Sequence, residues 1–369
     1  MKKGLYLGLL GAFFCLSCSS SKSINYLVGT YTDIPSEGIN CINFNSKTKK
    51  ITLISVIAGI NNPSFVITNK FKTIVVSVEE TASENGGRVT SYSYNKNSKS
   101  FQKLTSFFTK GNHPCTVTFS PKEDYVLVGN YSGGNLSVFP MDKNGILSDA
   151  VQSIQYEGKS SNAERQEKAH VHCIITHPKE AKIFVADLGK DAIEMIPFDE
   201  NSQPFLKEEQ AQSFNVAAGS GPRHLVFNAS GTKLYATFEL TNEVGVFEYQ
   251  DNKLKQIQTL ALTAPTKNGS AAELRLSVDG KFLYASVRGN DNVIVVMKTN
   301  EGKNLEVIQT IKTAKIPRNF ILTKNQKNIL VATQYSSLIS VFDRDLKTGL
   351  LKTTTNELSI NKPIYLYPF

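Results

Sequence analysis

The sequence contains no tryptophan in 369 residues. That excludes repeat architectures whose units carry a Trp-Asp signature. Cysteine is scarce too, five in all. Beyond Cys15 and Cys18 near the start, only Cys41, Cys115 and Cys173 remain, far apart in the chain. An odd, dispersed set makes no disulfide framework. There is no CxxC pair and no zinc-ligand spacing, so no metal is expected and the thiols read as small buried hydrophobes. No GxSxG elbow and no readable Ser-His-Asp set is present. No cofactor motif is present either, and none is expected. The net charge is +9, but the lysines are dispersed in turns such as Lys47-Thr48-Lys49-Lys50. Without a basic helix or interleaved aromatics, nucleic acid is not an expected partner.

The one long apolar run is Leu5–Leu16. Lys2 and Lys3 precede it and small residues follow, which is the layout of a signal peptide and too short for a comfortable membrane span. It ends in Leu16-Ser17-Cys18-Ser19, which resembles a bacterial lipobox, with Cys18 as the lipidated first residue of the mature chain. A plain secretory signal is the alternative. Residues 1–23 are therefore expected to be leader and tether, and 24–369 one folded domain in the cell envelope, held to the membrane only through its N-terminal lipid.

What fills the rest is a repeat. Six openings, Pro63, Pro114, Val171, Pro222, Ala271 and Pro317, each stand 17 residues before the end of a second strand, at Glu80, Tyr131, Leu188, Glu239, Arg288 and Gln334. Between the two strands lie turn sequences such as SPKED, NASGT and SVDGK. A third, β-branched strand follows, as in NLSVFPMD and NVIVVMKT, and then a weaker fourth. Four strands per unit of roughly 50 residues, with almost no helical periodicity, describe a propeller blade. A seventh unit is split: YLVGTYTD and EGINCINF lack an opening strand, and NKPIYLYPF near the C-terminus has that look. The expectation is all-β: a seven-bladed β-propeller of four-stranded antiparallel blades, closed by the C-terminal strand pairing into the N-terminal blade, which hides two edges. The polar stretch 157–169 breaks the rhythm and reads as a long loop or short helix, a place where function concentrates.

The shared frame allows equivalent positions to be compared. The second residue of each opening is Ser64, Cys115, His172, Arg223, Ala272 and Arg318; the third is Phe65, Thr116, Cys173, His224, Glu273 and Asn319. The fifth is apolar or β-branched except Arg275, which either pairs with a structural carboxylate or holds an anion. In a propeller the opening strand is innermost, and the start of one strand lies at the same ring edge as the end of the next. These polar columns are expected to converge on one channel mouth, a ligand site of arginines, carboxylate and imidazole. Arginines suit carboxylate or phosphate; Glu239 or His172 could activate water.

With YLVGTYTD, HPCTVTFSPKEDYVLVGNYSGGNLSVF, HVHCIITHPK, GPRHLVFNASGTKLYATFEL and AAELRLSVDGKFLYASVRGNDNVIVV in view, the chain resembles the seven-bladed lactonase family over roughly residues 25–368. That family includes cycloisomerase-type 6-phosphogluconolactonases and carboxymuconate lactonising enzymes. The resemblance implies hydrolysis of 6-phospho-glucono-lactone to 6-phosphogluconate, or of a related sugar lactone. In the lactonising relatives a His, two Arg and a Glu at the mouth are implicated. They map here to His172, Arg223, Glu239 and one of Arg275 or Arg288. The expected catalytic set is His172, Arg223, Glu239 and Arg288, with His113, Asn130, Tyr131, His224, Glu273 and Arg275 binding substrate. Val287 and Phe238 stand where the family usually has Asn, a departure expected to reshape the pocket. The expected ligand is a small anionic sugar lactone and the expected state a monomer. A cycloisomerase or lyase acting on a carboxylated lactone, and a non-enzymatic envelope-binding propeller, are the competing functions. The leader conflicts with a cytoplasmic phosphorylated substrate.

Overall fold

A computed structural model describes residues 23–35, 37–264, 270–300 and 304–369. The leader and Cys18 lie outside the described residues. Strands follow one another in seven four-stranded antiparallel sheets. Blade one combines Ser23–Thr30, Gly38–Asn45 and Ile51–Ala58 with the C-terminal strand Pro363–Pro368 as its innermost member. The other six follow in chain order, with innermost strands at Val66–Thr68, Pro114–Phe119, Val171–Thr176, Pro222–Phe227, Ala271–Leu276 and Pro317–Leu322. The expected ring closure is present: Pro363–Pro368 pairs antiparallel with Ser23–Thr30.

The strands form where β-branched and aromatic residues run uninterrupted. Second strands such as Tyr125–Asn130 (YVLVGN) and Phe282–Val287 (FLYASV) are buried at every position because both faces meet a neighbouring blade. Outermost strands such as Ile51–Ala58 show the exposed positions of an edge. One turn recurs between first and second strands. Its fourth residue takes left-handed φ, at Lys72 (56°), Glu123 (65°), Gly231 (79°), Gly280 (71°) and Gln326 (60°). In each the N–H of that residue bonds the carbonyl three back, as Gly231 to Asn228 at 3.0 Å. Glycine suits this position at two sites and is dispensed with at three.

Among the described residues there is no single central core. The apolar residues form seven clusters, each at the seam between neighbouring blades. Tyr235 and Val246 of blade five, for example, pack with Leu274, Leu283 and Val295 of blade six. The channel in the middle is lined by the innermost strands, so their inward side chains need not be apolar. Helix is nearly absent among the described residues; a 3-10 turn spans Glu208–Gln210. Residues 157–169 form the long irregular loop, not a helix.

A register shift recurs at the start of the innermost strands. It falls between Pro114 and Thr116, Val171 and Cys173, Pro222 and Leu225, Ala271 and Leu274, and Pro317 and Asn319, with a matching one opposite Ile364. A bulge frees a residue from ladder pairing and re-aims its side chain. Here the freed residues are Cys115, His172, Arg223, Ala272, Arg318 and Ile364.

Candidate active site at the channel mouth

Two rings of side chains meet at one end of the channel. The first is the bulged second position of the innermost strands. The second is the residue just past each second strand: Tyr31, Glu80, Tyr131, Leu188, Glu239, Arg288 and Gln334. Glu239 sits at the centre of the charges. Its Oε2 lies 2.7 Å from Arg223 Nε and 3.1 Å from Arg288 Nη2, and its Oε1 accepts from Arg165 Nη2 at 2.7 Å. Arg288 is steadied by the Ser270 carbonyl, 3.0 Å from its Nε. Arg165 also donates to Tyr131 Oη at 3.2 Å. It comes from the long loop, which thereby closes over the mouth.

Burial alone would raise the Glu239 carboxyl, but Arg288, Arg223 and Arg165 together carry it well below the usual range. It is a fixed anion and a weak base. Arg223 is 2 % exposed, and its Nε and Nη1 have no hydrogen-bond partner among the described residues. The 2.7 Å approach to Glu239 is thus an ion pair with poor hydrogen-bond alignment. A buried guanidinium with unspent N–H donors marks a place for an anion or an oxyanion.

His172 stands beside it, edge-on to Tyr131 and to His224, each 5.5 Å away between ring centroids. Burial, then the Arg223 charge, pushes its pKa well below the ordinary value, so it is neutral at pH 7. Its Nδ1 is buried without a hydrogen-bond partner among the described residues. Tyr131 stacks at 4.4 Å on His170, whose Nδ1 donates to the Tyr131 carbonyl at 2.9 Å. Across the mouth Arg318 Nη2 donates to Tyr31 Oη at 3.2 Å, and Tyr31 donates to Glu80 Oε1 at 2.8 Å.

The structure thus brings His172, Arg223, Glu239, Arg288 and Tyr131 together, as the repeat columns imply. The others it spreads out, although His224 still borders His172. His224 and Glu273, one residue further along their strands, lie within the channel, where His224 Nδ1 donates to Glu273 Oε1 at 3.0 Å. Arg275, at position five, lies roughly 10 Å further down at three residues of strand rise. It reaches back to Glu273 Oε2 at 3.3 Å, so of its two readings the carboxylate pairing is the one seen. A cavity of about 530 Å³ opens at that far end, beside Arg275, Tyr365 and Tyr367. Glu273 there is satisfied by His224, Arg275, Asn319 and the Leu274 N–H. The unspent donors are at the other end, so the chemistry is assigned to the mouth.

Asn130 does not reach the mouth. Successive strand residues face opposite ways, and with Tyr131 inward Asn130 turns into a seam, where Nδ2 donates to the Thr109 carbonyl at 3.0 Å. Phe238 and Val287, in the same column, are likewise buried in inter-blade clusters. Their departure from Asn therefore alters seams, not the pocket wall. His113 stays on the rim, with Nδ1 2.8 Å from Ser132 Oγ.

Arg165, Arg318, Tyr31 and Glu80 are the residues that the sequence-based set leaves out. Arg318 and Glu80 stand in the same columns as Arg223 and Glu239, and Tyr31 in VGTY repeats Tyr131 in VGNY. Arg165 carries no repeat signal, only its place in a long polar loop. Among the described residues no cluster of three or more potential metal ligands occurs.

With this geometry in hand, comparison places the chain among known proteins. The model of the family described as "Lactonase, 7-bladed beta-propeller" matches residues 25–368. The 6-phosphogluconolactonase of Bacillus subtilis is 30% identical over 93% of this chain and 97% of its own. A solved structure from Bacteroides fragilis superposes with a TM-score of 0.90 at 33% identity, over 95% of this chain and 99% of that one. The periplasmic gluconolactonase of Pseudomonas aeruginosa superposes with a TM-score of 0.86 at 30% identity, over 93% and 98%.

Proposed function

As this chain belongs to the seven-bladed β-propeller lactonase family, we propose that it hydrolyses a sugar lactone of the gluconolactone class to the open hydroxy acid. The observation that carries the reading is Arg223, buried at the mouth with two donors unspent beside an ionised Glu239. Lactone hydrolysis builds negative charge on the carbonyl oxygen, and preorganised donors in a water-poor site stabilise that charge more than they stabilise the neutral substrate. Arg223 is assigned to the oxyanion. Arg288 and Arg165 complete a cationic wall for the anionic product. Glu239 holds the three guanidinium groups in place, since its low basicity disqualifies it as the base. His172, neutral at working pH, borders the carbonyl and can share a proton through Nδ1.

Four arginines, Arg165, Arg223, Arg288 and Arg318, face two carboxylates, Glu80 and Glu239, so the mouth favours an anion. The Bacillus subtilis relative is named for a phosphorylated lactone and the Pseudomonas aeruginosa relative for a periplasmic unphosphorylated one. The lipobox-like leader favours the second: an envelope enzyme tethered through Cys18 and fed by free aldonolactones. The test is proton release by the purified mature protein against phosphorylated and free six-carbon lactones. Turnover of a free lactone, lost in Arg223→Ala, supports the proposal. No turnover of any lactone, with glycan binding instead, overturns it in favour of a binding propeller.

A further inference from the structure

Hydrolysis needs a base for the water, and neither member of the expected pair fits well: Glu239 is held ionised and weakly basic by its arginines, and His172 has lost basicity to burial. A small hollow at the top of the channel supplies another group. It is lined by Ser64, Glu80, Cys115, His172, Arg223 and Arg318 among others; Glu80 stands just past a second strand and the other five are second positions of their openings. Its volume is about 20 Å³, room for one water. Four of its lining side chains carry buried polar atoms without a hydrogen-bond partner among the described residues: Ser64 Oγ, Glu80 Oε2, His172 Nδ1, and Arg223 Nε and Nη1. Convergent unpartnered donors and acceptors around a water-sized space are the signature of a water site.

Glu80 is built to use such a water. Tyr31 donates to Oε1 at 2.8 Å and Arg318 in turn donates to Tyr31 at 3.2 Å. That chain fixes the carboxylate plane and leaves Oε2 facing the hollow. Unlike Glu239, Glu80 makes no ion pair within 4.0 Å among the described residues. Its backbone is pinned by its N–H to the Asn62 carbonyl at 2.9 Å. The other nucleophiles of the hollow are unsuited. Burial raises the Cys115 thiol, which donates to the Val171 carbonyl, and no hydrogen bond joins Ser64 Oγ to a base.

We propose that Glu80 is the general base of the reaction and that the hollow holds the hydrolytic water between Glu80 Oε2, His172 Nδ1 and Arg223. This rests on the lactonase reading above. Glu80 Oε2 takes a proton as the water oxygen bonds to the lactone carbonyl carbon. The carbonyl electron pair moves to oxygen, where Arg223 meets it. The tetrahedral intermediate then collapses, breaking the ring C–O bond, and the departing alkoxide takes the proton back from Glu80. The product carboxylic acid ionises in solvent, which is the proton the assay reads.

The test compares wild type, Glu80→Gln, Glu80→Ala and Tyr31→Phe in the full mature chain. In Glu80→Gln we expect kcat to fall by ~10²–10⁴ with KM within threefold. Gluconate binding by calorimetry should hold within threefold. Glu80→Ala should recover rate in proportion to added formate, a response that a merely structural role would not give. Tyr31→Phe should cost about tenfold, as one orienting hydrogen bond is worth. Retention of kcat in Glu80→Gln, or absence of formate rescue in a folded Glu80→Ala, overturns the assignment. If wild type turns over no lactone, the lactonase reading fails separately. A crystal structure then decides the hollow: an ordered water on Glu80 Oε2 supports the site, and its absence at high resolution sinks it.

Discussion

Arg223 Nε approaches Glu239 Oε2 to 2.7 Å without making an aligned hydrogen bond. The pair is held by charge, and the arginine keeps its directional donors for something else. Replacing Arg223 by lysine keeps the charge near Glu239 but removes the planar fork. We therefore expect Arg223→Lys to fold and to lose ~10²–10³ in kcat, read by lactone proton release. A loss under threefold would show that charge alone suffices.

Arg165 touches the same carboxylate from a different origin. It reaches Glu239 Oε1 at 2.7 Å from the long loop, with its side chain 32% exposed. A half-exposed arginine on a loop is better placed to bind than to stabilise a transition state. Arg165→Ala should raise KM about tenfold, the worth of one charge-assisted bond, with kcat within threefold. A selective loss of kcat would move Arg165 into the reacting group.

The lower pair behaves oppositely. Burial pushes Glu273 up, but Arg275 and His224 bring it down to about 2. A depressed carboxyl contributes stability that is present above its unfolded value of 4.5 and lost as pH falls towards 2. The contribution is on the order of 3 kcal/mol. Glu273→Gln should lower the melting temperature at pH 7 and flatten the acid limb of stability between pH 4.5 and 2. Because the pair sits below the mouth, kcat should stay within threefold; thermal melts across pH and one rate measurement check both halves.

The repeat frame made the blades, the closure and most of the mouth readable, because a 17-residue recurrence aligns positions that chain distance would hide. Arg223, Glu239, Arg288 and His172 were legible as polar residues in strand columns. Depth was not. The columns do not separate the mouth from the channel floor, so they group Arg275 with the mouth residues, whereas it meets Glu273 further down. Nor could they say which of two neighbours turns inward. That depends on the facing of each second strand, which no local composition announces: Tyr131 turns to the mouth and Asn130 to a seam. Arg165 was illegible for a different reason: its loop occurs once, so no equivalent position exists to compare.

Ring closure joins the two ends of the chain. Pro363–Pro368 is the innermost strand of blade one, with the Leu366 N–H 3.0 Å from Asn319 Oδ1 of blade seven and Tyr365 stacked 3.8 Å from Phe65 of blade two. Leu366 is 0% exposed in the seam between blades one and seven. Removing residues 363–369 would bare the Ser23–Thr30 edge and open that seam, so the truncated chain should aggregate rather than melt cooperatively. Leu366→Ala tests the closure more gently. It leaves the backbone pairing and removes only the seam contact, at a cost of about 3 kcal/mol. We expect a lower midpoint in urea with kcat within threefold, because the mouth residues are untouched. An unchanged midpoint would mean that the ring holds without its closing seam.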